Sequence, residues 1–226
     1  MKKYIWLLLL LALFFIIKTK ANVFCEKATT TTCTYCPDVS NIIYEIYTSH
    51  DYPFYFVSLV ADKCSDANER VNEYNVYGYP TAFFDGGYEV VFGKKSKLEY
   101  IKAIESSLSR SRANINISMR VIWNDGKINV SVELENRENR NYSGYLRVYI
   151  VEIVSRWKDA KGNPFHFALL GYAIKNEINI GKNEKIKISS SWSDYQISRE
   201  NVMAIAVVFR NQSELRYSDP PSNTHA

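Results

Sequence analysis

The spacing of apolar residues changes once along this chain of 226 residues, near Arg112, and that change limits what the chain can fold into. Before it, strand-like and helix-like stretches alternate. Val23-Phe24-Cys25 reads as a short strand, and Asp38 to Ser49 sets Ile42, Ile43, Ile46 and Tyr47 on one helix face. Phe54 to Ala61 is a nearly continuous apolar run, the pattern of a strand covered on both faces. Ser65 to Tyr74 is polar and helix-like. Thr81–Phe84 and Tyr88–Phe92 flank Asp85-Gly86-Gly87, a hairpin turn, and Lys95 to Ser111 carries Leu98, Ile101, Ile104 and Leu108 on one side. After Arg112 only a period of two remains. Ile117, Met119, Val121 and Trp123 alternate with polar neighbours, and Ile128, Val130, Val132 and Leu134 alternate back. Further strands are expected at Tyr145–Ile153, Phe165–Tyr172, Lys185–Ser189, Val202–Phe209 and Glu214–Tyr217. Such a run of strands without a helix predicts a β-sandwich of immunoglobulin-like type.

The amino terminus sets the expected compartment. Lys2 and Lys3 precede an unbroken apolar run from Tyr4 to Ile17, the layout of an export signal and shorter than the roughly 20 residues of a membrane span. Two outcomes stay open: removal after Ala21, or retention of residues 4–17 as a membrane anchor. Lys18 and Lys20 stand where cleavage sites rarely carry positive charge. Either way the chain is expected to be exported and extracytoplasmic, secreted or anchored, where disulfides persist. A lipid anchor on Cys25 is excluded because Phe24 is too bulky for the residue before it.

With 46% hydrophobic and 23% charged residues the composition is that of a globular protein. A net charge of +4 without a basic block gives no reason to expect a nucleic-acid partner. Four cysteines are too few to build a scaffold from disulfides, but they suffice for a redox pair or one metal site. Two of them form Cys33-Thr34-Tyr35-Cys36, between the first strand and the first helix. A thiol at the first turn of a helix faces unpaired N–H groups and the positive end of the dipole, which favour the thiolate. Since the thiolate is the attacking species, Cys33 is the candidate nucleophile and Cys36, one turn on and more buried, the resolving thiol.

Val76-Tyr77-Gly78-Tyr79-Pro80-Thr81 stands immediately before the hairpin strand. With the C-x-x-C ahead of it in a βαβα–ββα order, residues 22–110 resemble the thioredoxin superfamily. The resemblance implies that Pro80 is a cis-proline packed against the dithiol and that the backbone of Tyr79 pairs with an extended substrate segment, with Thr34 and Tyr35 also at the substrate. Thr32 replaces the usual Trp before the first cysteine, and the loop Lys27–Thr32 is slightly long. The Cys-Thr-Tyr-Cys-Pro string looks closer to the type found in glutaredoxins and archaeal disulfide oxidoreductases. Glu26 lies one residue from where relatives carry a buried carboxylate that takes a proton from the resolving thiol, so it is a candidate catalytic group. The same topology makes the first two strands parallel neighbours, which leaves three states open for Cys25 and Cys64: a structural disulfide, two buried free thiols, or exchange with the active pair.

Leu146–Ile153, Phe165–Leu169 and Glu200–Val207 look like the sandwich that follows a thioredoxin-like domain in some exported prokaryotic proteins. The expected organisation is therefore a signal or anchor over 1–21, an α/β thioredoxin-like domain over 22–112, an all-β immunoglobulin-like sandwich domain over 113–219 and a disordered tail over 220–226. The expected function is thiol–disulfide exchange with protein thiols and disulfides, served by a membrane or soluble redox partner and needing no cofactor. Two other readings compete. One is a surface binding or adhesion module whose disulfide is structural. The other is a zinc site of Cys25, Cys33, Cys36 and Cys64, against which their irregular spacing counts.

Overall fold

The structure, a computed structural model, describes residues 22–124, 126–194, 196–218 and 221–224, with the backbone alone for 214–224. The export signal or anchor expected over 1–21 lies outside the described residues. Among those described, no helix is long and apolar enough to cross a membrane.

Strand β1 (Val23–Thr29) leads through a loop into helix α1 (Cys36–Ser49), then β2 (Phe54–Val60), α2 (Ser65–Glu73), β3 (Thr81–Phe84), β4 (Glu89–Phe92) and α3 (Lys97–Ser109). Eight strands follow: β5 (Ile115–Asn124), β6 (Lys127–Asn136), β7 (Tyr142–Lys158), β8 (Pro164–Ile180), β9 (Lys185–Ser193), β10 (Val202–Arg210), β11 (Glu214–Ser218) and β12 (Pro221–Thr224). Local chemistry fixes several boundaries. Pro37 opens α1, where a missing N–H costs nothing, and His50 ends it in the left-handed region at φ 57°. Ser96 and Glu99 form a capping box at the start of α3. Asp85, Gly86 and Gly87 take φ of 48°, 74° and 94° in succession, a turn these residue types tolerate.

The expectation of an α/β thioredoxin-like domain followed by a separate immunoglobulin-like sandwich is corrected here. A single seven-stranded mixed sheet runs β10-β7-β8-β2-β1-β3-β4 and joins strands from both sides of residue 112. The junction is β2 beside β8, parallel, with Ser58 opposite Ala168, and the Ser58 hydroxyl donates to the His166 carbonyl at 2.8 Å. The physical reason lies in β2, whose residues are buried on both faces apart from Tyr55. Such a strand needs a neighbour on each edge. β1 takes one edge and β8, with Phe165, Phe167, Ala168 and Leu169 buried, takes the other. A three-stranded sheet, β5-β6-β9, then covers one face of the β7–β8–β10 part.

Among the described residues two large cores result, beside a small cluster of Val60, Phe165 and Ala168, and β7 serves both large ones. Its Leu146, Val148 and Ile150 pack with Val130, Val132 and Leu134 of β6, whereas Tyr149 and Val151 join the core under α1, α2 and α3. Alternation along a strand sends successive side chains to opposite faces, so one strand can divide its apolar residues in this way. The tail expected to be disordered from residue 220 contains β12, which pairs antiparallel with β11 through Glu214↔Thr224 and Leu215↔Asn223.

Candidate functional site

β1 ends at Thr29, opposite Val60, and residues 30–35 lead from that end of the sheet into α1. Asp62 anchors this loop: its carboxylate accepts the Thr31 N–H at 3.0 Å and the Thr31 hydroxyl. Beyond the anchor, Cys33 and Cys36 are joined by a disulfide with their Cα atoms 5.4 Å apart. Thr34 is exposed, Tyr35 is 63% exposed, Cys33 is half-buried and Cys36 is fully buried. Solvent therefore reaches Cys33 and not Cys36, the asymmetry an attacking and a resolving sulfur require. One detail differs from expectation. The helix starts at Cys36, not at Cys33, so Cys33 lies just ahead of the first turn.

Asp38, in that first turn, would oppose a thiolate. Its charge is matched instead by Lys161 Nζ at 2.5 Å and Lys94 Nζ at 2.7 Å, whose hydrogen bonds bring its carboxyl down to about 2. Lys161 belongs to the end of the β7–β8 hairpin. Phe167 takes a φ of 50° within that hairpin, whose residues lie against α1: the Phe167 ring meets Tyr47 at 5.0 Å, and His166 stacks on Tyr44 at 3.7 Å.

The bond between Tyr79 and Pro80 is cis. Thr81 lies opposite Ala28, which puts Pro80 level with Thr29, at the end of the sheet from which the Cys33 loop departs. Pro80 accepts the Gly93 N–H at 2.8 Å, and the Thr81 hydroxyl donates to the Gly78 carbonyl at 2.8 Å. Tyr79 is half-buried, and burial followed by the charge of Asp62 pushes its phenol up. Asp62 thus faces both loops. Tyr77 and Phe92 stack at 4.9 Å with 52% and 41% of their surfaces exposed, and a Cβ on Gly78 would come within 2.9 Å of the Phe92 ring.

Other expected residues stand elsewhere. Glu26 is fully buried but does not face α1. Its two carboxylate oxygens accept Arg70 Nε and Nη2, each at 2.8 Å, together with the hydroxyls of Tyr74 and, at 2.7 Å, Tyr149. Burial alone would raise its pKa, but Arg70's charge and hydrogen bonds outweigh burial and hold it below the ordinary carboxylate value. Glu26 is thus part of an ionic knot on the α2 side. Cys25 and Cys64 are both buried and unbridged. Cys25 sits mid-strand opposite Phe56, while Cys64 follows the end of β2 and caps α2. At about 3.3 Å per strand residue the two are well beyond disulfide reach. Burial pushes both thiols up. Among the described residues no group of three or more Cys, His, Asp or Glu is arranged to hold a metal. A cavity of about 330 Å³ opens on the α2 side beside Arg70, Arg147 and Lys175, but Glu26, Glu73 and Glu69 already meet these cations.

Sequence reasoning missed Lys27. It was expected in the loop, whereas β1 continues through Lys27 to Thr29. The apolar Ala28 between two polar residues was the available signal.

No sequence family matches the chain, and no curated protein matches it. Among solved structures, one crystallised protein of Agrobacterium tumefaciens is similar with a TM-score of 0.48 and 13% identity, over 86% of this chain and 97% of that one.

Proposed function

We propose that the chain is a thiol–disulfide oxidoreductase acting on protein substrates outside the cytoplasm. The observation that carries this reading is the placement of one disulfide, with Cys33 reachable and Cys36 buried at the opening of α1. Exposed aromatic residues at the same end of the sheet support it. Tyr35, Tyr77 and Phe92 offer apolar contact to an extended or partly unfolded chain, and the strand end at Tyr79 offers backbone groups to it. The resemblance to the thioredoxin superfamily supports the same roles for Cys33, Cys36, Tyr79 and Pro80, although the sheet beneath them is built differently. Export rests on the sequence of residues 1–21.

In the oxidising direction a substrate thiolate attacks Cys33 Sγ, the Cys33–Cys36 bond breaks and Cys36 departs as a thiolate. A second substrate thiol then attacks the substrate sulfur of the mixed disulfide and expels Cys33. Two substrate thiols become one disulfide, while Cys33 and Cys36 take up both electrons and both protons. In the reducing direction the same steps run backwards from a Cys33 thiolate. The test is turnover of insulin and of scrambled ribonuclease by the full chain. The expected result is exchange in at least one assay that Cys33→Ser abolishes. Equal behaviour of Cys33→Ser and the unmodified protein would reject the reading.

A further inference from the structure

Lys27 is a charged side chain with 1% of its surface exposed, and nothing in the exchange described above uses it. Full burial of lysine is rare, because the ammonium loses its water. Alternation along β1 sends Phe24, Glu26 and Ala28 to the α2 side and Cys25, Lys27 and Thr29 to the α1 side. The ammonium therefore has no share in the Glu26–Arg70 knot. Its hydrogen bond goes to Ser40 Oγ at 2.5 Å, in α1. Ser40 is four residues from Cys36, so the two side chains stand one above the other on one helix face, and the Ser40 side chain leans toward the Cys36 turn. Thr29, one step nearer the sulfur loop on the same face of β1, is buried with its hydroxyl lacking a hydrogen-bond partner.

The other groups facing Lys27 do not neutralise it by contact. They are the Cys25 thiol on its own strand, and Asp159 and His166 on the β7–β8 hairpin, with the Phe165 ring 5.7 Å away. Burial keeps Cys25 a thiol and lowers His166, and the Asp159 carboxylate accepts the backbone N–H groups of Lys161 and Asn163 at 2.9 and 3.0 Å. Among the described residues Lys27 makes no ion-pair contact, and the Ser40 hydroxyl it meets stands one helical turn from Cys36.

We infer that Lys27 is the positioning residue that stabilises the Cys36 thiolate when the Cys33–Cys36 bond breaks, through the Ser40 contact. This inference deepens the proposed function and rests on it. Cys36 has no access to water, so a thiolate leaving there needs a buried positive charge, and Lys27 is placed to supply it. Where pH leaves the reduced Cys36 ionised, thiolate and ammonium persist together; at lower pH the sulfur takes up its proton and the effect fades.

The test reads the bare sulfur pair and not substrate turnover, so the two ideas fail separately. The full chain is equilibrated with dithiothreitol at several pH values, as the unmodified protein and as Lys27→Met. Where pH leaves the reduced Cys36 ionised, removing the ammonium should shift the equilibrium toward the disulfide by about tenfold, or about 30 mV for a two-electron couple, and it should raise the pH at which thiolate absorbance appears. By reciprocity the Lys27 ammonium of the unmodified protein, followed by NMR, should bind its proton about tenfold more tightly in the reduced state than in the oxidised state. That second measurement decides alone if Lys27→Met does not fold. An equilibrium unmoved by Lys27→Met, or a Lys27 titration identical in both redox states, overturns the inference. Absence of insulin or ribonuclease turnover together with an intact Lys27 shift would reject the proposed function and leave the coupling standing.

Discussion

Lys161 donates to the Asp38 carboxylate at 2.5 Å, so the end of a hairpin from the second half of the chain is held against the first turn of the helix that bears Cys36. Lys94 approaches the same carboxylate from the segment before α3. The sulfur pair therefore sits at a meeting point of three chain segments and not on an isolated loop. Both lysines are about half exposed, so their value lies in placement more than in stability.

Replacing Lys161 with Gln should release the hairpin end while leaving the fold intact. Hydrogen exchange should quicken over residues 157–165, and the melting temperature should hardly move. Because the Asp38 carboxyl is brought down to about 2, the contact should survive mild acid, and the protection factors of this segment, intrinsic pH-dependent exchange rates divided by the observed ones, should be flat in the unmodified protein from neutral pH down to about 4. Protection of the hairpin end unchanged by Lys161→Gln would show that the aromatic contacts with Tyr44 and Tyr47 hold it alone.

The two cysteines should differ when each is replaced. In Cys36→Ser the reachable Cys33 keeps its attack but has no partner to release the product, so mixed disulfides with substrate thiols or glutathione should accumulate and be visible by mass. Cys33→Ser leaves only a buried sulfur and should trap at least tenfold less. Equal trapping by both variants would contradict the burial difference between the sulfurs.

Glu26 should behave as a structural residue. Glu26→Gln leaves Arg70 buried without a full countercharge and should cost about 3–5 kcal/mol, read from denaturant unfolding. The acid dependence has a definite sign. The folded carboxyl is held below the unfolded value of 4.5, so its stabilisation is complete above that pH and disappears as pH falls through the lower folded value. The variant should lose this part of the acid-unfolding slope. A catalytic Glu26 would instead abolish exchange in a protein of unchanged stability.

Lys27 gives the opposite limb. Burial lowers the ammonium from 10.5 to about 8, so between those values the unfolded chain binds the proton more tightly than the folded one. The oxidised protein should therefore gain stability as pH rises from about 8 toward 10.5, and Lys27→Met should remove this gain. Alkaline denaturant titrations of the two proteins compare the slopes directly; parallel curves would place Lys27 in water.

Part of the local structure is legible in the sequence. Asp85-Gly86-Gly87 turns as expected and β6 buries Ile128, Val130, Val132 and Leu134 in alternation, whereas α3 buries Tyr100, Ala103 and Ile104 and leaves the expected Leu98 exposed, and in β5 Ile117 and Val121 are exposed. Assembly was not legible. Which strand takes the open edge of β2 depends on a pairing between Ser58 and Ala168, residues far apart in sequence whose apolar surroundings suit several neighbours. Alternation in β7 looked like one sandwich face, yet it divides between two cores. The site shows the same division. Cys33, Cys36 and the Tyr79–Pro80 bond follow from short motifs, whereas Glu26 and Lys27 exchange meaning through the position of a single residue on a strand, where one step reverses the face.

The sharing of one sheet by both halves has a mechanical consequence. β8 meets β2 at Ser58 and Ala168, so thermal loss of the later strands would bare the edge of β2. A gene fragment ending where the apolar spacing changes would leave β2 with a raw border of unmatched amides, prone to clumping with its own copies. The sulfurs near the start of the chain thus owe their steady footing to strands made last.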